Sequence, residues 1–382
     1  MTLRVLFHVQ HLLGIGHLRR AALLSKGMAE AGLSVTLASG GMPVADLAPG
    51  GAAFVQLPAA RAADMSFRLL LDAEGRPVDD AWRKRRAAAC LEVWQRVRPH
   101  VLLTELFPFG RRQFRFELLP MLEAARAAAP RTVIAASVRD ILVAAQDAKK
   151  NNDMLTLFQR HYDRLLVHGD PGVARFGATF PLADAIADRT HYTGYVVEPP
   201  DPSGNTLGTG EVLVSAGGGA VGLPLLCAAL GARALSAAGN LPWRLLVGQN
   251  ESDAAVAELS AMAPPGVIVE RARADFPALL ANCSASISQG GYNTVMETLV
   301  RRRPAVLVPF TEGRPDSEQG RRAELLAARG VVEVVAEADL TPARLAAALD
   351  RAMARDPVEL RVDTGGIAAT AALVRRWAEA AA

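Results

Sequence analysis

The sequence predicts an α/β protein built from two parallel-sheet domains of comparable size. Three observations carry that expectation. Short apolar runs alternate with helix-period stretches along almost the whole chain, the pattern of parallel strands joined by crossover helices. The 382 residues exceed what one ordinary core accommodates. The alternation breaks once, at "TGYVVEPPDPSGNTLGTG", whose Pro, Gly, Ser and Asn mark a linker, and then restarts with a strand and a Gly turn.

In the first half, strands are expected at Arg4–Val9, Ser34–Ala38, Val101–Thr104, Thr132–Ala136 and Arg164–Val167, with the clearest helices at Leu18–Ala31, Asp80–Val97 and Phe114–Ala128. After the linker, "EVLVSAGGGAVGLPLLCAAL" reads strand, turn, helix. Further strands follow at Trp243–Val247, Val267–Val269, Ala285–Ser288, Ala305–Pro309 and Val331–Val335. Helices fall at Asp253–Met262, Asn293–Val300, Glu318–Arg329 and Thr341–Ala354. The expected boundaries are 1–198 for the first domain, 199–210 for the linker and 211–365 for the second domain. An Ala-rich helix over 366–382, with Leu373 and Trp377 on one face, is expected to return to the first domain.

Composition narrows the class. Half the residues are apolar and about a fifth charged, as in soluble globular proteins. No run reaches the ~18 apolar residues of a membrane span, and the early first strand leaves no room for a signal peptide. Cys90, Cys227 and Cys283 are widely separated and lack ligand spacing, which predicts reduced core residues of a cytoplasmic protein. Residues 1–200 hold 25 Lys+Arg against 19 Asp+Glu, and the remainder 17 against 20. The basic half suits an anionic acceptor or an acidic membrane face, and equally an Arg-rich surface. Scattered cations without interleaved aromatics argue against nucleic-acid binding.

Three glycine turns carry the chemistry. In "RVLFHVQHLLGIGHLRR" a strand ends at Gly14 and Gly16, glycines that admit unusual backbone angles and close ligand approach. The following helix start offers N–H groups and a positive dipole end. The third Gly of a dinucleotide fingerprint is missing, and "TLASGG" supplies no acid after the second strand, so nicotinamide binding is not expected. His17, at that helix start, has the chemistry of a proton acceptor kept neutral by the dipole. The ring suits a purely capping role as well. Gly217, Gly218 and Gly219 form a second turn, serving either phosphate contact or tight packing.

The third turn is the richest. Within "SASISQGGYNTVMETLVRRRPAVLVPFTEGRPDSEQGRRAELLAARG", Gly290 and Gly291 precede a helix that opens near Asn293 and Thr294. Glu297 lies one turn further in, where a carboxylate accepts two vicinal hydroxyls. The next strand runs to Pro309 and Phe310, and its loop carries Asp316, Glu318 and Gln319. Two successive strand–loop–helix units thus present polar groups on one sheet rim, where open α/β folds bind ligands. Alone, Glu297 reads as a solvated helix residue and Glu318–Gln319 as a cap.

Together these segments resemble the GT-B glycosyltransferases of the group containing the N-acetylglucosaminyltransferase of peptidoglycan synthesis (family 28-like). "GIGH" resembles the group's N-terminal Gly loop, "GGG" its second-domain turn, and "GGYNTVMETL" through "EQGRRAELLAARG" its donor signature. The chain is most similar to a bacterial branch of predicted glycosyltransferases that also carries "TELFPFGRR" and "SVRD" segments. The resemblance implies two Rossmann-like domains facing across a cleft. It implies that Glu297 binds ribose hydroxyls, that Gly291, Asn293 and Thr294 lie by a diphosphate, and that the backbone near Arg273 meets the base. Glu318 and Gln319 would meet the sugar. Gly219 and Glu318 depart from the group's pattern, which expects a hydroxyl residue and a Gln there.

The expected activity is inverting, metal-independent hexosyl transfer from a nucleotide diphosphate sugar, with no cofactor. A UDP-sugar is the expected donor, and a TDP-sugar the alternative. His17 would act as base, with Glu105 orienting it or serving as base itself. An ion pair of Glu105 with Arg111 or Arg112 is the competing expectation. Arg139 and Asp140 end another strand on the rim and rank below Glu105, because adjacent Arg and Asp often pair. No Asp-x-Asp triplet or His/Cys cluster suggests a metal. The rivals are a nucleotide-sugar hydrolase, a 2-epimerase and a non-catalytic sugar-nucleotide binder. Met65, Phe67 and Leu69–Leu71 could form an apolar lip and Arg83–Arg86 a basic collar. That pairing would suit a lipid-linked or anionic acceptor and peripheral contact with the inner membrane face, or simply an amphipathic helix on the core.

Overall fold

A computed structural model describes residues 2–45, 47, 49–64, 67–142, 147–198, 206–217, 221–249, 251–311, 317–356, 358 and 361–382. The chain divides into two compact units, Met1–Val196 with Val362–Ala382, and Val197–Arg361.

The N-terminal unit contains, in chain order, β1 (Arg4–Val9), α1 (Gly16–Glu30), β2 (Ser34–Ser39), β3 (Ala53–Gln56), β4 (Arg61–Ala62), β5 (Leu70–Leu71), α2 (Asp80–Val97), β6 (Val101–Glu105), α3 (Arg115–Arg126), β7 (Val133–Arg139), α4 (Ala148–His161), β8 (Arg164–His168) and β9 (Thr190–Tyr192). Seven strands form a parallel sheet in the order β3-β2-β1-β6-β7-β8-β9. The strands are near-continuous apolar runs because helices cover both faces. One face buries Leu6, Leu102, Ile134 and Leu165 with Phe114, Phe158 and Tyr162, and the other buries Val5, Phe7, Leu103 and Leu166 with Leu18 and Met28.

The C-terminal unit contains β10 (Val212–Ser215), α5 (Leu223–Arg233), β11 (Trp243–Val247), α6 (Asp253–Met262), β12 (Val267–Arg271), α7 (Phe276–Asn282), β13 (Ala285–Ser288), α8 (Tyr292–Arg301), β14 (Ala305–Leu307), α9 (Glu318–Ala327), β15 (Glu333–Val334) and α10 (Pro342–Ala354). Its sheet is also parallel, in the order β12-β11-β10-β13-β14-β15. The last helix, α11 (Gly366–Ala381), belongs to the N-terminal unit, where Val374, Trp377 and Ala378 enter the core shared with α1.

Strand order reverses between β1 and β6 in one unit and between β10 and β13 in the other. Doubly wound sheets bind ligands outside the carboxyl ends of strands at such switch points. In this chain those points coincide with the turns at Gly14–Gly16, at Gly217 and at Gly290–Gly291.

Several details differ from the sequence expectations. Residues 206–210 read as linker by composition, yet Leu207 packs with Leu279 and Phe276, and Asn282 donates its side-chain amide to the Leu207 carbonyl at 3.0 Å. Cys227 is exposed on α5 rather than buried, while Cys90 and Cys283 are buried and all three thiols are unbridged. Of the expected basic collar, Arg83, Lys84 and Arg85 are exposed, while Arg86 is fully buried. Its guanidinium pairs with Glu117 at 2.6 Å and donates to Gln10 Oε1 at 2.9 Å and Gly40 O at 3.0 Å, and His8 Nε2 meets the same Glu117 at 3.1 Å. Arg83 remains at the surface with Asp80. Of the apolar lip, Phe67 and Leu69 are exposed, Leu70 is buried in the β4–β5 hairpin, and Met65 lies outside the described residues. No helix among the described residues is long and apolar enough to cross a membrane.

Candidate functional site

In the N-terminal unit, parallel pairing delivers the polar side chains to one edge. The loop after β1 leads into α1, so His17 sits in that helix's first turn, and β6 ends on Glu105. Glu105 is the cross-strand partner of Ser137, and Arg139 of His168. Cross-strand partners project to the same face, which is why these groups meet.

His17 Nδ1 lies 2.9 Å from Glu105 Oε1, and both side chains are buried. The ring thus points away from a capping geometry, and no side chain caps α1. Arg20, one turn along α1, donates to the same carboxylate oxygen. Ser137 Oγ donates to Glu105 Oε2 at 2.7 Å. The expected pairing of Glu105 with Arg111 or Arg112 is therefore replaced by Arg20. Arg112 instead reaches Asp153 at 2.7 Å, and Arg111 Nε donates to the Gln10 carbonyl at 2.8 Å. The Glu105 side chain is fully buried, deeper than the His17 ring it meets. Arg139, ranked low from sequence, places Nη2 2.5 Å from His17 Nε2. Asp140 is tied elsewhere, accepting from Ile141 N at 2.8 Å and from the Tyr195 hydroxyl at 3.3 Å.

Electrostatics reinforce the picture. Desolvation, with like-charge repulsion from Arg139, pulls the Arg111 guanidinium down to about 10, against a raising influence of Glu105. Burial, with Arg111 adding to it, lowers His11 to about 4, so that ring is neutral. His168 is driven down to about 3 by burial and by Arg20. The backbone at Gly14 and Gly16 does not take a left-handed conformation, contrary to expectation. What survives is the space: a Cβ at Gly14 would meet nothing within 4 Å.

In the C-terminal unit, Gly217 follows β10 at φ +72, a conformation that favours glycine, while Gly218 and Gly219 lie outside the described residues. Gly290 follows β13 where a Cβ would press on Gln319 Cβ and O at 3.2 Å and on Pro309 at 3.4 Å, whereas Gly291 faces open space. Gly291 is the N-cap of α8 and no side chain caps that helix, so Asn293 and Thr294 lie in its first turn. Ser317, not Glu318 or Gln319, caps α9 through its hydroxyl. Glu318 pairs with the buried Arg322 at 2.8 Å, Arg322 Nη1 donates to Gly290 O at 3.3 Å, and its guanidinium lies 5.4 Å from the Tyr292 ring centre. Gln319 Oε1 accepts from Phe310 N at 3.1 Å. These contacts bind the starts of α8 and α9 into one polar rim. Asp316 lies outside the described residues.

Glu297 is buried, not solvated. Its Oε1 accepts from Glu198 N at 3.2 Å, and Oε2 lies 3.1 Å from Arg301 Nη2. Desolvation raises the carboxyl to about 7, although Arg301 and the Glu198 amide both pull it down. Arg273 stands apart, just beyond β12 and two strands from β10, with its guanidinium on Asp275 at 2.8 Å through both Nε and Nη2. Sequence reasoning missed Arg20, Ser137 and His168. Only Arg20 left a local signal, three residues after His17 on the same helix.

Comparison with known proteins agrees with this layout. Two Rossmann-type units with their polar rims at the switch points define the GT-B architecture, and solved glycosyltransferases share it along the whole chain. The calicheamicin glycosyltransferase CalG4 superposes with a TM-score of 0.60 at 16% identity, covering 100% of this chain and 95% of its own. MurG of Acinetobacter baumannii gives 0.53 at 16% identity, covering 98% and 95%. VinC, solved in complex with DTDP, gives 0.57 at 16% identity, covering 99% and 96%.

Residues 219–367 match the glycosyltransferase family 28 C-terminal domain. A segment of 79 residues is 47% identical to the UDP-N-acetylglucosamine–N-acetylmuramyl-(pentapeptide) pyrophosphoryl-undecaprenol N-acetylglucosamine transferases of Brucella canis and Brucella suis. The alignment spans 21% of this chain and 21% of those relatives, about a fifth of their length. Residues 219–367 thus carry a family 28 C-terminal domain, and the whole chain shares the GT-B fold of solved glycosyltransferases.

Proposed function

We propose that this protein is a glycosyltransferase that moves a sugar from a nucleotide diphosphate sugar to an acceptor hydroxyl. The observation that carries the reading is His17, held through Nδ1 by a buried carboxylate so that Nε2 is the basic atom. The family 28 match over the C-terminal unit supports donor binding there. In this reading Glu297 accepts the ribose hydroxyls and the uncapped start of α8 faces the diphosphate, with the positive end of its dipole offsetting charge on the leaving group. A single base acting on the acceptor suits direct displacement at the anomeric carbon, hence inversion, and helix dipoles make a metal unnecessary for the departing diphosphate. Arg139 occupies the Nε2 lone pair of His17 in this structure, so the acceptor hydroxyl must take its place.

UDP is the proposed nucleotide, on the likeness to the Brucella UDP-sugar enzymes, with thymidine diphosphate as the second candidate on the likeness to VinC. A lipid-linked acceptor is proposed from the same Brucella relatives, whose names specify a pyrophosphoryl-undecaprenol substrate. Titration calorimetry with UDP and with TDP tests the donor assignment: binding should appear in the wild type and weaken at least tenfold in Glu297→Ala. Unchanged affinity in that variant removes Glu297 from the donor site. Rapid release of sugar from a UDP-sugar without acceptor would recast the enzyme as a hydrolase.

A further inference from the structure

Behind His17 the buried polar groups continue inward, and their hydrogen-bonding roles can be assigned one by one. A carboxylate only accepts, so the Ser137 hydroxyl, 2.7 Å from Glu105 Oε2, spends its single proton there. His168 Nε2 lies 2.9 Å from the same Ser137 oxygen and must therefore donate to it. His168 is fully buried and neutral, so its remaining nitrogen, Nδ1, carries a lone pair. That lone pair lies 2.9 Å from the Thr193 hydroxyl, whose single proton also has the Gly194 carbonyl at 3.1 Å and the Val167 carbonyl at 3.4 Å within reach. Arg20 donates to Glu105 Oε1, and the same oxygen takes the His17 Nδ1 proton at 2.9 Å.

The direction of the bonds from His17 to His168 is thus determined from the Glu105 carboxylate. We infer that Ser137 and His168 are positioning residues that hold His17 as the Nδ1–H tautomer by locking Glu105, so that Nε2 faces outward as the base. The inference rests on the proposed role of His17, and extends it to two residues that contact no substrate. No proton travels along the chain: each member orients the next, and the bonds strengthen one another in the low dielectric of the interior. Which nitrogen of an imidazole carries the proton is set by what the two nitrogens meet: Arg139 Nη2, 2.5 Å from Nε2, can only donate and favours the same tautomer from the outer side, while the locked Glu105 favours it from the inner side.

The test reads the tautomer directly and needs no acceptor. Ring nitrogen NMR spectra of the histidine-labelled full chain, with His17 assigned by its loss in His17→Gln, should show a single Nδ1–H pattern. In an Arg139→Ala background, which removes the donor from Nε2, Ser137→Ala and His168→Gln should each shift the His17 tautomer ratio about tenfold toward Nε2–H, the order expected for losing one hydrogen bond to a charged group. Ser137→Thr, which keeps the hydroxyl, should restore the wild-type pattern. Thermal melts and the unaltered resonances of His100 and His191 identify variants that fold. An Nε2–H pattern in the wild type, or an unshifted pattern in folded Ser137→Ala in the Arg139→Ala background, overturns the inference. UDP binding in the same samples reports separately on the donor reading.

Discussion

His17 and Glu105 are 88 residues apart in sequence and 2.9 Å apart in space, joined Nδ1 to Oε1. The carboxylate is deeper than the imidazole and is shared with Arg20 and Ser137. In the proposed reaction that arrangement would separate orientation from proton transfer, the inner residue fixing the ring and the outer one meeting the acceptor.

His17→Ala should lower turnover roughly 10²–10⁴-fold, the usual contribution of a positioned general base. Donor affinity should stay at the wild-type value, because the proposed donor contacts lie in the other unit. Glu105→Gln should lower turnover too, and in addition cost about 3–5 kcal/mol of stability, since it leaves Arg20 buried without its counter-charge. Steady-state rates, calorimetric nucleotide binding and denaturant melts on the two variants separate these outcomes. Equal stability of Glu105→Gln and the wild type would contradict the buried ion pair.

Glu297 makes a pH-dependent prediction. Its carboxyl stands at about 7 in the folded protein against an ordinary 4.5, chiefly through desolvation. Between those values the native state holds a proton that the unfolded chain has lost, so stability falls as pH rises through that window. Glu297→Gln removes the slope. The variant should match the wild type near pH 4 and exceed it by about 1–3 kcal/mol near pH 8, measured by urea melts at both pH values. Affinity for a UDP-sugar should rise from pH 6 to 8 in the wild type, because only the ionised carboxylate accepts two ribose hydroxyls, and should lose that dependence in the variant.

The neighbouring glycines Gly290 and Gly291 are expected to respond differently to the same substitution. A methyl at Gly290 meets Gln319 and Pro309 at 3.2–3.4 Å, so Gly290→Ala should cost about 1–3 kcal/mol as overpacking. Gly291 sits at φ −63 and ψ 141 with open space ahead, so Gly291→Ala should fold with little penalty. If a diphosphate approaches that backbone, the methyl blocks it, and UDP affinity should fall at least tenfold in a protein of unchanged melting temperature. A Gly291→Ala variant that binds UDP normally would place the phosphates elsewhere.

Legibility in the sequence followed the range of the interactions involved. Strand and helix identities came through because apolar periodicity is written within about ten residues, as at Arg4–Val9, Trp243–Val247 and α8. The positions of the turns at Gly14–Gly16 and Gly290–Gly291 came through for the same reason, since a turn announces itself by composition. The short β3, β4, β5 and β9 and the helices α4 and α7 did not, being brief or weakly patterned and held by packing rather than by local preference.

The sequence by itself determined two parallel α/β units, the glycine turns at Gly14–Gly16 and Gly290–Gly291 that open their helices, and the presence of His17 and Glu297 near those turns. Only the tertiary structure decided which groups those residues meet: Arg20 rather than Arg111 or Arg112 for Glu105, Arg139 for His17 Nε2, and burial for Arg86 and Glu297. The physical reason is that side-chain partnership depends on strand order and register, which bring Glu105 beside Ser137 and Arg139 beside His168. Nothing in a local stretch of sequence states which distant strand lies next to it, and burial is a property of that arrangement and of no single residue.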